Sequence, residues 1–259
     1  VTLPILGAGA AAVKAAGDFE ETMVEVEKVT NPQVAQEMSA RIREMAETIP
    51  LAQTELANLV AQAARFGIRG VENIEAFSTA VSKMAIATDL SADEAGEALA
   101  RVSKLTRVPA MEVENLGSAV NELSNNFATS SSEIVDSMLR AGAAASQFGL
   151  NDEQLAGMSA ALNAVSESSQ RAGTRMRRLF QERLNPKKMG QIARAIGLTK
   201  AEFSAMADAS PVRAIQTLIT AMEANGQEAD NLRMTLTSVS QQALAGLAQN
   251  ADEVTKAIE

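Results

Sequence analysis

Apolar residues recur along most of this chain three and four positions apart, the spacing that lays a stripe down one side of an α-helix. The clearest case returns every 39 residues: Glu55, Glu94 and Glu133 are evenly spaced, and apolar positions follow each in register. Leu56, Ala95 and Ile134 correspond, then Val60, Leu99 and Met138, then Ala63, Val102 and Ala141, so each repeat opens on a helix striped at i, i+4 and i+7. A second helix follows in each, marked by Phe77, Leu116 and Leu155 and by Met84, Leu123 and Leu162. Between those marks, Val81 and Val120 are answered by a polar Ser159. Two helices per repeat, neither able to bury its apolar side alone, predict stacked helical hairpins over residues 49–168. The next step of 39 lands beside Gly173 and keeps no pattern, so residues 1–48 and 169–259 are different helical material flanking a three-fold block.

Helix punctuation fills the rest of the chain. Asn31-Pro32, Asn185-Pro186 and Ser210-Pro211 each set a capping side chain before a proline at the first helical position, where a missing N–H costs nothing. Ser91 with Glu94, Ser130 with Glu133, Asn151 with Gln154 and Thr199 with Glu202 have capping-box spacing, and Ser124 to Ser132 reads as a turn and cap between repeats. Gly67, Gly149, Gly197 and Gly226 fall where helices should end. No alternating strand pattern intervenes. The expectation is an all-α chain of about a dozen helices, mostly of roughly 10–20 residues.

Composition narrows the chemistry. The 259 residues include no Cys, His, Trp or Tyr, which removes disulfides, zinc fingers, thiol nucleophiles and any histidine base. With 3% aromatic residues, the core must be assembled from Ala, Leu, Ile, Val and 12 Met. A net charge of −9 and a pI near 4.8 argue against a general nucleic-acid binder, because the chain as a whole repels polyphosphate. The pairs Ser82-Lys83 and Ser103-Lys104 sit in predicted helices, where neighbours point about 100° apart and cannot form a nucleophile and base. Acid pairs such as Glu20-Glu21 lack an enclosed cleft and read as a solvated helix face. There is no glycine-rich phosphate loop. The residues thus predict no enzyme, no metal and no cofactor.

Two segments stand out as contact surfaces. Arg171, Arg175, Arg177, Arg178, Arg183, Lys187 and Lys188 gather within 18 residues that contain one acid, Glu182. On a helix, Arg171, Arg175 and Arg178 share one face, opposite Ala172, Met176, Leu179, Phe180 and Leu184. That face is either solvated charge or a contact for an acidic partner, a neighbouring subunit, DNA or anionic lipid. The opening Val1 to Val13 is apolar, with Leu3, Ile5 and Leu6 as its large residues, but is interrupted by Pro4, Gly7 and Gly9. It is too short to span a bilayer and lacks the basic start of a secretory signal, so it reads as a buried, subunit-covered or membrane-touching segment. A start at Val1 points to a piece of a longer chain.

Several phrases, in order, carry a resemblance. Val1-Thr2-Leu3-Pro4-Ile5 is followed by Ala15-Ala16-Gly17-Asp18-Phe19-Glu20-Glu21-Thr22-Met23, then by ELANLVAQAARFGI from Glu55 to Ile68. Ala172-Gly173-Thr174-Arg175-Met176, the basic helix, Pro186 and Ile196-Gly197-Leu198 complete the set. The sequence resembles the tail tape-measure proteins of tailed phages and prophages, in their shared minor-tail core region, over nearly the whole chain. The resemblance implies a virion protein of the tail-tube lumen or tail tip, present in host cytoplasm before assembly. It further implies a role in templating tail assembly and length and in genome ejection. Its implied partners are further copies of itself, tube, tail-tip or baseplate proteins and tail assembly chaperones, with DNA or host membrane during ejection. As a single rod the chain would measure roughly 390 Å at 1.5 Å per residue, but its caps and glycines recur too often for a continuous coiled coil. A folded module of a longer ruler is expected, against the alternative of a helical binding scaffold or membrane-active delivery module.

Overall fold

A computed structural model describes residues 3–224 and 226–250, with side chains from residue 13 onward. Among these residues every regular element is helical, so the chain is all-α. The capping side chains explain where the helices start. Asn31, Asn185 and Ser210 each accept a hydrogen bond from a first-turn amide, ahead of prolines 32, 186 and 211. All four expected boxes close in both directions, at Ser91–Glu94, Ser130–Glu133, Asn151–Gln154 and Thr199–Glu202.

The chain forms two compact units. The first comprises residues 1–100 and 109–117. It contains α1 (Leu3–Val29), α2 (Pro32–Thr48), α3 (Gln53–Arg65) and α4 (Val71–Ala87), the beginnings of α5 (Ala92–Thr106) and α6 (Val113–Asn126), and a 3₁₀ turn at Ala110–Glu112. Helix α3 is its centre, packed against α1, α2 and α4. Seven of its thirteen residues are buried, four of them alanines that let the surrounding helices come close.

The second unit comprises residues 101–108 and 118–259. It adds α7 (Ser131–Phe148), α8 (Asp152–Ala164), α9 (Ser169–Leu184), α10 (Pro186–Ala195), α11 (Lys200–Ala209), α12 (Pro211–Glu223), α13 (Gln227–Thr235) and α14 (Ser238–Gln249). Its tightest pairing is α7 against α9, where Gly173 faces the backbone of Ser137: a Cβ on Gly173 would lie 2.9 Å from that carbonyl oxygen. Phe148 stacks on Phe180 along the same seam, ring centroids 5.2 Å apart. The Ser137 hydroxyl lies 2.7 Å from Asn163 Oδ1, which ties α8 to that seam.

The eighteen stripe positions aligned at 39-residue spacing are all buried, including the polar Ser159, while Glu55, Glu94 and Glu133 are exposed. Glu55, Glu94 and Glu133 each reach back to the backbone amide three residues earlier, on Ala52, Ser91 and Ser130. The ends of the helices that these glutamates begin also share a form: Ile68, Val108 and Leu150 donate to carbonyls five residues back. Gly67 and Gly149 supply the left-handed residue in two of these ends, whereas Arg107, at φ +64°, adopts it in the third.

Candidate interaction surface on the basic helices

The basic run occupies two successive helices. Ser168 caps α9, and Asn185 both ends α9 and caps α10 by accepting from the amides of Lys187 and Lys188. Ala172, Met176, Leu179 and Phe180 turn into the core as their spacing requires, and Leu184 is partly buried.

The cations on the outer side do not form one free surface. Arg171 pairs with Glu167 one turn earlier. Arg175 donates from Nε to Gln242 Oε1 on α14 at 3.1 Å and from Nη1 to the Ser166 hydroxyl at 3.1 Å. Arg178 Nε lies 3.6 Å from the carboxylate of Glu182, whose other oxygen accepts from the Thr237 amide at 3.4 Å. Thr237 caps α14, so the Glu182 carboxylate sits at the end of that helix where unpaired amides favour negative charge. Arg175 and Glu182 therefore fasten α9 to α14, and Arg178 pairs with Glu182 within α9. Lys188 donates from Nζ to the Thr235 carbonyl at 2.7 Å, satisfying an acceptor left open at the end of α13.

What remains available is smaller. Among the described residues Arg177 and Lys187 are exposed and have no side-chain partner. Arg194, not singled out by the sequence reading, is exposed and unpartnered in the same sense. Its signal was there to be found, because Lys187, Gln191 and Arg194 follow one another at i, i+4 and i+7 along one side of α10.

Arg183 belongs to the interior. Its guanidinium carbon lies 4.9 Å from the Phe148 ring centre and 5.9 Å from that of Phe203, with Asp208 3.7 Å from Nη2. Burial pulls its pKa below the ordinary guanidinium value, and Asp208 partly offsets that. The run of charge hid this: Arg183 stands seven residues after Met176 and four after Leu179, on the buried stripe itself.

The backbone of Leu3, Ile5 and Leu6 lies in α1, while their side chains fall outside the described residues. From Val13 to Asp18 the helix is exposed on every side. No described helix is long and apolar enough to cross a membrane. Nor do the described residues bring together three or more acids in a way that could hold a metal.

Residues 39–257 match the family of phage-related minor tail proteins. The chain is also 28% identical over 163 residues to a probable tape measure protein of Halomonas phage phiHAP-1, an alignment covering 58% of this chain and 19% of that protein. The chain thus corresponds to about a fifth of that relative's length. No solved structure matches. An all-helical fold, cations that brace helices or lie open at the surface, and a match running through most of the sequence agree: the chain belongs to the phage-related minor tail protein family, structural proteins of the phage tail.

Proposed function

We propose that this segment is a folded helical module of a tape-measure protein, placed in the tail-tube lumen or at the tail tip. There it takes part in templating tail assembly and length and in delivering the genome. The observation that carries this reading is the match to minor tail proteins over residues 39–257, joined by the likeness to a probable tape measure protein. The helix boundaries support the folded-module part. Capping side chains, left-handed helix ends and prolines interrupt the chain every 10–20 residues or so, which a continuous ruler would not tolerate. In this reading the partners are tube, tip or baseplate proteins and assembly chaperones, met in host cytoplasm before assembly, and the chain catalyses no reaction.

The test is an in-frame deletion of residues 92–130 in the phage or prophage that encodes the chain, with tail length measured by electron microscopy. A folded module gives tails of unchanged length that assemble or deliver DNA poorly. Shortening by roughly 58 Å, the length of 39 helical residues at 1.5 Å each, would make the segment part of an extended ruler instead. Normal tails with normal infection would remove the tape-measure role of this block.

A further inference from the structure

The charge of this molecule is divided between its two compact units. The first carries 7 Lys and Arg against 17 Asp and Glu, a net charge of −10; the second carries 16 against 15, a net charge of +1. Each unit also presents an apolar feature with charge of its own sign beside it. In the first, a groove of about 600 Å³ lies between α2 and α4. Met45, Ile49 and the half-exposed Ile86 give it an apolar lining, and Glu44 and Glu75 stand at its rim. Glu75 is held by Arg41, and Lys83 at the edge is held by Glu114, whereas Glu44 has no partner among the described residues. In the second unit Met234 stands 75% exposed on α13, in a shallow hollow shared with Lys188, Gln191 and Arg194 of α10. Met234 and Ile86 are two of the few large apolar side chains exposed among the described residues.

We propose that these two features are the halves of one interface, and that the occupant of the groove is a second copy of this chain. Met234 of one copy enters the apolar groove of the next, with Arg194 beside the free carboxylate of Glu44. The two surfaces differ, so the contact is head-to-tail: each joined pair keeps one unused knob and one unused groove, and association continues into a closed ring or an open row. A flexible, unbranched Met suits a groove that is not shaped for a rigid ring. Rim charges fix orientation and speed encounter more than they add affinity, and the two copies, each at −9, repel at long range. The contact is therefore weak and sensitive to salt. DNA fits the basic side less well. Arg177, Lys187 and Arg194 are too few for a phosphate track, Met234 has nothing to gain from phosphate, and no aromatic ring is exposed among the described residues for bases to stack on. This inference stands on the charge and surface pattern alone and does not depend on where in the tail the chain lies.

Sedimentation velocity on the 259-residue chain across concentration and salt tests it, using two double variants. Met234→Asp with Arg194→Glu removes the knob; Ile86→Asp with Glu44→Lys removes the groove. All four positions are exposed, and circular dichroism checks that helicity is kept. The unaltered chain should form a concentration-dependent series of species. Each variant alone should be monomeric, and the two mixed should form a 1:1 dimer and nothing larger, since one intact knob then meets one intact groove. Three results would overturn the proposal: a monomeric unaltered chain at its solubility limit at every salt concentration, self-association surviving in either variant, or a mixture that does not pair. Binding of a short DNA duplex that the knob variant abolishes, without self-association, would assign the basic side to nucleic acid instead.

Discussion

The two compact units bury their interiors in different ways. In the first, α3 is surrounded by Leu, Ile, Val, Ala, Phe and Met, and its charged side chains stay outside. Its buried hydroxyls, Ser78 and Ser82, are helix residues, and Ser82 donates to the Ser78 carbonyl one turn back. The second encloses Asn163, Glu182 and Arg183 among apolar groups and holds them with partners from other helices. An apolar stripe can be completed by any well-shaped neighbour. A buried charge or amide requires a particular atom at a particular distance, so the second unit tolerates fewer arrangements of its helices.

Core truncation separates the units most strongly. Leu56→Ala removes a fully buried side chain at the centre of the first unit and should cost about 2–5 kcal/mol, read as lost amide protection confined to that unit. Phe180→Ala removes the stacking partner of Phe148 and should cost about 3–5 kcal/mol in the second unit. Hydrogen exchange followed by mass spectrometry reads both. Loss of protection throughout the chain from either substitution would show that the units unfold together.

A pair of glycines sharpens the contrast at lower energy. Gly173→Ala drives a methyl group against the Ser137 carbonyl and the Arg140 Cβ, neither of which can swing aside, and should destabilise by about 1–3 kcal/mol. Gly96→Ala, on α5 in the first unit, meets only the amide end of Gln62, which can rotate away. Its helix-propensity gain of up to about 1 kcal/mol should leave that variant neutral or more stable. Chemical denaturation of the two variants side by side is sufficient, and equal losses would mean that the α7–α9 seam is no tighter than the first unit.

Arg183 asks what the buried cation itself contributes. Met at this position keeps an unbranched stem and a polarizable sulfur against Phe148 and Phe203 and removes a charge that burial disfavours. Asp208, left behind, is 73% exposed and can be hydrated. Arg183→Met should therefore stay within about 1 kcal/mol of neutral in thermal unfolding. A substantially larger loss would show that the guanidinium is needed where it lies.

These same residues mark what could be read from the sequence. The striped positions from Leu56 to Leu162, the caps that stand before prolines and the four boxes each depend on atoms within a few turns of one another, so spacing alone located them. Arg175 bonding Gln242, Glu182 at the start of α14 and Lys188 at the end of α13 join residues 47 to 67 positions apart. No local pattern carries those pairings. For that reason the basic run reads in sequence as one charged face, although Arg175 and Lys188 brace neighbouring helices, Arg171 and Arg178 pair one turn away and Arg183 lies inside. Where a residue sits on its own helix was legible, as Arg183 on the stripe after Met176 shows; which distant helix would face it was not.

The smallest difference concerns protons. Glu94, in the first unit, has its pKa lowered mainly by the Ser91 hydroxyl and next by the Ser91 amide. Glu202, in the second, is lowered mainly by the Thr199 amide and next by its hydroxyl. Both carboxylates are more acidic folded than unfolded, so each supports its helix above the unfolded carboxylate pKa. That support drains away as pH falls through the folded value, below about pH 4.5. Ser91→Ala deletes the leading cause at Glu94, whereas Thr199→Ala leaves the leading backbone donor at Glu202 in place. Carboxyl-carbon NMR titration should therefore show the Glu94 pKa rising further toward the ordinary glutamate value in the first variant than that of Glu202 in the second. The Tm of the first unit should also lose more of its fall between neutral and acid pH. Equal rises would mean that hydroxyl and amide donors hold the two carboxylates alike, and that the two capping boxes differ only in which helix they begin.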